Sequence, residues 1–349
     1  MATLSHEAFR RMIEKFGGCD EYFTEMINAG SLLTRGPFEK YYLMNGTAPE
    51  KIVWQLTGSK APFMAEAALV VASLGGAGVD LNMGCSAPEI IASGAGLSWM
   101  LKPVEESQLM VRSVKRALEQ NEKESGKKTR LSVKLRLGDE NYTDEGFFSF
   151  CDMLVGEGVE LLTLHPRTRR QKYSRPAHWE YVQRLAERVR QKGIAVFLNG
   201  DVKDAASALA ALKAAPDADG IMIARSAAQK PWIFAEIAAA FAGNNLPGGY
   251  SLKTTGASAV QKIDIYELVL DYLKDLQLYQ PEEFWKTRMQ RFFTYFCNNF
   301  SFAHYCQTQM LNSKNIEEAE SRLLSYFEKV PEDRFISVPV CANQASLEK

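Results

Sequence analysis

Arg130–Gly138 reads RLSVKLRLG, and this stretch decides the fold. Its period-two alternation sets Val133 and Leu135 on one face and Lys134 and Arg136 on the other, which predicts a strand over Leu131–Leu137 with its cations near the C-terminal end. Working outward, apolar runs of similar length recur at Lys51–Leu56, Gly78–Met83, Glu160–His165, Ile194–Asn199 and Gly220–Ala224. Helical patterns lie between them at Ala61–Leu74, Val104–Glu119, Ala177–Gln191 and Lys203–Ala214. A helix at Ser5–Phe16 and a further strand at Glu21–Ile27 precede them. Such alternation of apolar strands with helices predicts a parallel sheet covered by helices. The units number seven, one short of a TIM-type (β/α)8 barrel, and the chain opens on a helix. The expected α/β fold is therefore either an open doubly wound sheet or a barrel whose first strand is missing.

Gly243–Ser258 holds GNNLPGG and KTTGAS and reads as a linker. Beyond it Ile263–Leu278, Pro281–Phe300 and Ile316–Lys329 have helical periodicity, with Trp285, Met289, Phe292 and Phe296 along one face as core. The expected organisation is a barrel over 1–242, a linker over 243–260, a small all-α domain over 261–330 and a loosely held tail over 331–349.

The 349 residues carry 41 Lys+Arg against 42 Asp+Glu, a formal net charge of −1, which argues against a protein that coats nucleic acid indiscriminately. No window approaches the ~20 apolar residues of a membrane span, and the start MATLSHEAFRR has no apolar leader. The default is a soluble cytoplasmic protein, expected to be a monomer. Six dispersed cysteines without a CxxC pair, and four histidines, argue against a disulfide scaffold and against a metal site.

Lys134 and Arg136, with no carboxylate in their own strand, need an anionic or electron-rich ligand if they point into a barrel; the alternative is a solvated outward pair. Other strand ends share their character: Asn82, Gly84 and Cys85 in VDLNMGC, His165 and Arg167 in LLTLHPR, and Asn199, Gly200 and Asp201 in VFLNGD. A pocket at one rim explains them together. In DGIMIARSAAQKPWIF, Arg225 and a small-residue run open a helix where barrels of this type bind phosphate.

These residues add up to a resemblance. QLTG at Gln55–Gly58, DLNMGCSAP at Asp80–Pro88, GAG at Gly94–Gly96, VKLRLG at Val133–Gly138, LHPRTRRQKYSRPAHW at Leu164–Trp179, LNGD at Leu198–Asp201 and MIARSAAQKPWIF at Met222–Phe234 resemble the dihydrouridine synthase family, in order, over roughly residues 1–240. The resemblance implies a barrel followed by a helical tRNA-binding domain, and an FMN-dependent, NADPH-driven reduction of particular tRNA uridines to 5,6-dihydrouridine. It implies that Met1, Ala2, Gln55, Lys134, His165, Asn199, Gly200, Asp201, Ala224 and Arg225 hold the flavin and that Asn82 and Arg136 face the uracil. It also makes Cys85 the proton donor. A thiol of ordinary pKa near ~8.5 is mostly protonated at neutral pH, so a cysteine can donate. Ser86, Pro166, Ala224 and Ser226 depart from the family's usual residues, and Met1–Ser5 matches only the end of its first-strand turn. A form extended upstream by about ten residues, one strand and its lead-in, is expected to hold FMN more tightly.

RNA contact is expected from Arg167, Arg169, Arg170, Lys172 and Arg175, a run without an acid, with Tyr173 offering a stacking face. The chain from Leu246 onward carries 11 Lys+Arg and 13 Asp+Glu, and only Lys286, Arg288 and Arg291 form a local basic set there. Two other readings stand beside this one. Lys134 could serve a Schiff-base aldolase acting on a phosphorylated substrate, or the chain could be an RNA-binding barrel that has lost its redox activity.

Overall fold

The computed structural model describes residues 1–46, 48–139, 144–242 and 259–340. Its main sheet contains β1 (Tyr22–Phe23), β2 (Ile27–Asn28), β3 (Ile52–Thr57), β4 (Gly78–Met83), β5 (Arg130–Arg136), β6 (Leu161–His165), β7 (Ala195–Asn199) and β8 (Gly220–Met222). All pairings are parallel, and β1 and β2 both lie on β3, so eight strands fill seven positions in chain order. The curled sheet with helices on its outside is the expected TIM-like α/β architecture.

The strand expected at Glu21–Ile27 is broken in two for a local reason. The Gln55 amide donates to Thr24 Oγ1 at 3.0 Å rather than to a backbone carbonyl, and the Thr24 hydroxyl donates to the Glu25 carbonyl at 2.9 Å. A side chain has taken a rung of the ladder, as threonine readily does.

Period two sorts the side chains. Leu81, Val133, Leu135, Leu162, Leu164, Val196 and Leu198 are fully buried against the outer helices, each contributing about 1.5–3 kcal/mol by leaving water. Neighbours in register on the opposite face include Gln55, Asp80 and Ser132, then Asn82, Lys134 and Thr163, then Arg136 and His165. The solvated outward pair is thereby excluded: Arg136 is buried and Lys134 half-buried, on the face away from the helices.

After the barrel, helices Ile265–Tyr279, Glu282–Phe296, Ala303–Leu311 and Ile316–Lys329 pack around an aromatic core. Tyr272 stacks on Phe292 with centroids 4.2 Å apart, and Phe292 on Phe296 at 4.7 Å. Met289, Phe292 and Phe296 are buried, while Trp285 is half-buried with its indole N–H donating to the Gln280 carbonyl at 2.8 Å.

Two expectations need correction. The second unit is not all-α with a loose end: β9 (Ala259–Asp264) pairs antiparallel with β10 (Phe335–Val340), so part of the expected linker and tail forms a ribbon. Alternation in FISVPV buries Val338 and packs Ile336 on the core, which a free tail would leave in water. Residues 243–258 and 341–349 lie outside the described residues. Arg288 is not part of a basic surface either. It is buried, and its Nη1 donates to Glu25 Oε2 at 2.7 Å, tying the helical unit to the broken strand. Only Lys286 and Arg291 of that set are exposed.

Candidate active site

The site begins one layer below the strand ends. Asp80 on β4 is fully buried, and its carboxylate accepts from Ser132 Oγ at 2.7 Å and Gln55 Nε2 at 2.8 Å. Gln55 Oε1 accepts from Asn82 Nδ2 at 2.9 Å. Asn82 Oδ1 in turn accepts from the backbone N–H of Cys85 at 2.9 Å and of Gly84 at 3.3 Å. The Cys85 carbonyl is held from the other side by the Leu97 N–H at 2.9 Å. Gly96 makes that approach possible: at φ +58° it adopts a left-handed turn, and a Cβ there would lie 2.6 Å from the Cys85 oxygen.

Above this layer, Lys134 Nζ donates to Asn199 Oδ1 at 2.9 Å, and Asn199 Nδ2 to the Met222 carbonyl at 2.8 Å. Burial lowers the Lys134 pKa to about 8, with Asp80 pulling it up and Arg136 pushing it further down. Burial also raises the Asp80 carboxyl to about 6, against the hydrogen bonds from Ser132 and Gln55 and the charges of Lys134 and Arg130. His165 is driven far below its ordinary range by burial and then by Lys134, Arg136, Arg167 and Arg225, so its ring is neutral at physiological pH. The mouth is cationic.

Arg225 lies 3.9 Å over the Tyr173 ring, and the His165 ring stacks 6.2 Å from it. Tyr173 is itself exposed, on the loop that carries Arg169, Arg170 and Lys172, and it borders His165 and Arg225. Met1 is half-buried, and burial lowers its ammonium to about 6, with Glu25 and Lys134 within electrostatic reach; Ala2 is exposed. Ala224 contributes only its carbonyl, which accepts from the amides of Ala227 and Ala228 at 3.0 and 3.3 Å.

Arg167, expected to contact RNA, is corrected by its burial. Its guanidinium donates to Asp201 at 2.6 and 2.8 Å and to the Arg175 carbonyl at 2.7 Å. Asp201, at φ +59°, also accepts from the Ala177 amide at 2.7 Å, so its carboxylate anchors the loop after β6 rather than standing free for a ligand. Gly200 has φ +120°, where a Cβ would lie 2.9 Å from the His165 ring. Arg169 pairs with Asp139 at 3.7 Å, and Arg170, Lys172 and Arg175 are exposed.

Sequence reading gave no role to Asp80, Ser132 or Thr163. A carboxylate two residues before Asn82 in an otherwise apolar strand was the available signal, since period two puts both on one face. Thr163 Oγ1, buried and beside Lys134 in register, has no hydrogen-bond partner among the described residues. A fully buried hydroxyl of this kind calls for a partner from outside the protein, and with Lys134, Asn199, Gln55 and neutral His165 it makes a donor and acceptor set that fits a flavin.

Fold and site together define an α/β barrel with a cationic rim formed by the strand ends. The dihydrouridine synthase (Dus) family model matches residues 1–280. A probable tRNA-dihydrouridine synthase of Rhodobacter capsulatus is 32% identical over 256 residues, covering 71% of this chain and 73% of that one. Its counterpart in Rickettsia prowazekii is 29% identical over 282 residues, 78% of each chain, and that of Mycobacterium tuberculosis 32% identical over 257 residues, 71% of this chain and 62% of that one. The chain belongs to the dihydrouridine synthase family. That membership sets aside the Schiff-base aldolase. No helix among the described residues is long and apolar enough to cross a membrane.

Proposed function

We propose that this chain reduces particular uridines of tRNA to 5,6-dihydrouridine, with FMN bound at the rim, NADPH as reductant and Cys85 as proton donor. The observation that carries the reading is the fixed rim itself: Cys85 clamped through its N–H and carbonyl, beside Asn82, Lys134 and Arg136, in a member of this family. When bound, the flavin supplies the hydride equivalent that reaches C6 of the uracil.

The protein's own groups do the rest. Cys85 holds the proton destined for C5, and the clamp on its backbone fixes where the thiol stands. Lys134 is largely protonated at neutral pH and offers a cation at the flavin, steadied by Asn199. Gln55, His165, Gly200, Asp201 and Arg225 complete the wall, Arg225 being the residue for the phosphate end. Arg136 and Asn82 face the base, which must leave its stack to reach them. Arg169, Arg170 and Lys172 track the RNA backbone, and the helical unit over 261–330 supplies a second contact by shape. The chain is taken to work as a monomer in the cytoplasm.

The test is the visible spectrum of the purified protein, followed by dihydrouridine content of unmodified tRNA incubated with it and NADPH. Flavin absorbance and new dihydrouridine are the expected results. A colourless protein that takes up no FMN yet binds tRNA would replace this reading with that of an RNA-binding barrel without redox activity.

A further inference from the structure

The geometry points to Asp80 as a positioning residue: its buried carboxylate sets the direction of two amides in series, Gln55 and Asn82, and through them the backbone that carries Cys85. This rests on the reading of Cys85 as the proton donor. An ionised carboxylate only accepts hydrogen bonds, so Gln55 must turn its Nε2 toward Asp80, as it does at 2.8 Å. Gln55 Oε1 is then the only atom left to face Asn82, which must answer with Nδ2 at 2.9 Å. Asn82 is thereby left with Oδ1 pointing at the two backbone N–H groups of Gly84 and Cys85. Reversing any one amide would set donor against donor at the next link. The last link is the loop itself: with Asn82 reversed, Nδ2 would meet two N–H groups and the clamp would open.

Ser132 holds the other carboxylate oxygen at 2.7 Å, so Asp80 cannot swing away. The charged groups that act on it, Lys134 and Arg130, both come from β5 and both favour its ionised form. Burying a carboxylate here destabilises the fold, and an apolar residue would fill the space at less cost. Its retention in the barrel interior is explained by the direction it imposes.

The test uses full-length holoprotein and unmodified tRNA, and reads iodoacetamide alkylation at Cys85 by peptide mass beside kcat, KM, flavin absorbance and melting temperature. In Asp80→Asn the side chain offers one acceptor and one donor, so both senses of the relay become available. Alkylation at Cys85 should then rise ~5-fold as the loop loosens, and kcat should fall ~10-fold with KM for tRNA and flavin content held within about twofold. In Asp80→Asn/Gln55→Glu the carboxylate moves to position 55, where it again compels Asn82 to present Nδ2, and the slow alkylation should return. Unchanged alkylation and kcat in the single variant would overturn the assignment. So would a fall in melting temperature in both variants with no return of slow alkylation in the double variant, which is how a residue that merely fills the core behaves. Cys85→Ala keeps the two levels apart: full turnover in it would remove the proton-donor reading, while the alkylation comparison would still decide the relay.

Discussion

Two places in this molecule bury opposite charges, and they do it differently. At the seam between barrel and helices, Glu25 and Arg288 meet directly at 2.7 Å, each almost without exposure. Inside the barrel, Asp80 and Lys134 feel each other's charge but make no ion pair: Asp80 bonds to Gln55 and Ser132, Lys134 to Asn199. A direct pair spends its charges on each other and works as a fastener. A separated pair keeps both charges incompletely matched, and their shifted pKa values, up to about 6 and down to about 8, record that. The first arrangement joins structural units; the second leaves a cation and a set of directed amides for a ligand to use.

The largest effect should come from breaking the fastener. Arg288→Met leaves Glu25 buried without its guanidinium, with the Thr3 amide and the nearby Met1 ammonium to satisfy it, and should lower unfolding stability by about 3–5 kcal/mol in urea titration. A loss below about 1 kcal/mol would show that water reaches the seam. At the rim the converse holds: Cys85→Ala should leave melting temperature, flavin and tRNA binding close to wild type while dihydrouridine formation falls ~10²-fold. Wild-type turnover would place the proton source elsewhere.

The separated pair can be read through pH. Burial lowers the folded pKa of Lys134 to about 8, whereas an unfolded lysine holds its proton to about 10.4. Between these values the unfolded state binds the extra proton, so the site's contribution to stability rises with pH; below pH 8 the full desolvation cost is present. Lys134→Met should therefore be more stable than wild type at pH 7.5, with the gap narrowing toward pH 10 by at most about 3 kcal/mol. A gap independent of pH would mean that Lys134 is better solvated than its surroundings imply. The same variant should lose flavin more readily than a variant at Arg136.

How much of this was legible in the sequence depends on how far away the deciding partner lay. The strands and the inward face of β5 were legible, because alternation is local and the outer face is uniformly apolar. The break at Thr24 was not, since a threonine hydroxyl serving as a backbone acceptor leaves no periodic trace. Arg167 and Arg169 look equivalent in LHPRTRRQKYSRPAHW, yet one is buried because Asp201, 34 residues on, lies beneath it. Arg288 was misread for the same reason on a larger scale, its partner being 263 residues away. Asp80 was visible as a letter, but its role depends on the orientation of two amides, which no local pattern in the sequence encodes.

That contrast between neighbouring arginines yields the smallest of the expected effects. Arg167 anchors the loop from below and is fully occupied by Asp201, the Arg175 carbonyl and the His165 ring. Arg169 and Arg170 stand on the loop's outer side, with Arg169 only loosely held by Asp139 at 3.7 Å, and they are the ones able to trade protein contacts for phosphate. Reversing the charge of both, as Arg169→Glu/Arg170→Glu, should weaken tRNA binding ~10-fold and reduce the slope of log Kd against log salt by about 1–2, the amount expected for the loss of one or two phosphate contacts. Fold and flavin should be untouched, because the contacts to Asp201 and His165 are made by Arg167. Arg167→Met should do the opposite, leaving the salt slope near wild type while freeing Asp201 and slackening the loop, with lower melting temperature and weaker flavin retention. Equal salt slopes in wild type and the charge-reversed variant would return Arg169 and Arg170 to the status of solvated surface charges and move the RNA track elsewhere on the rim.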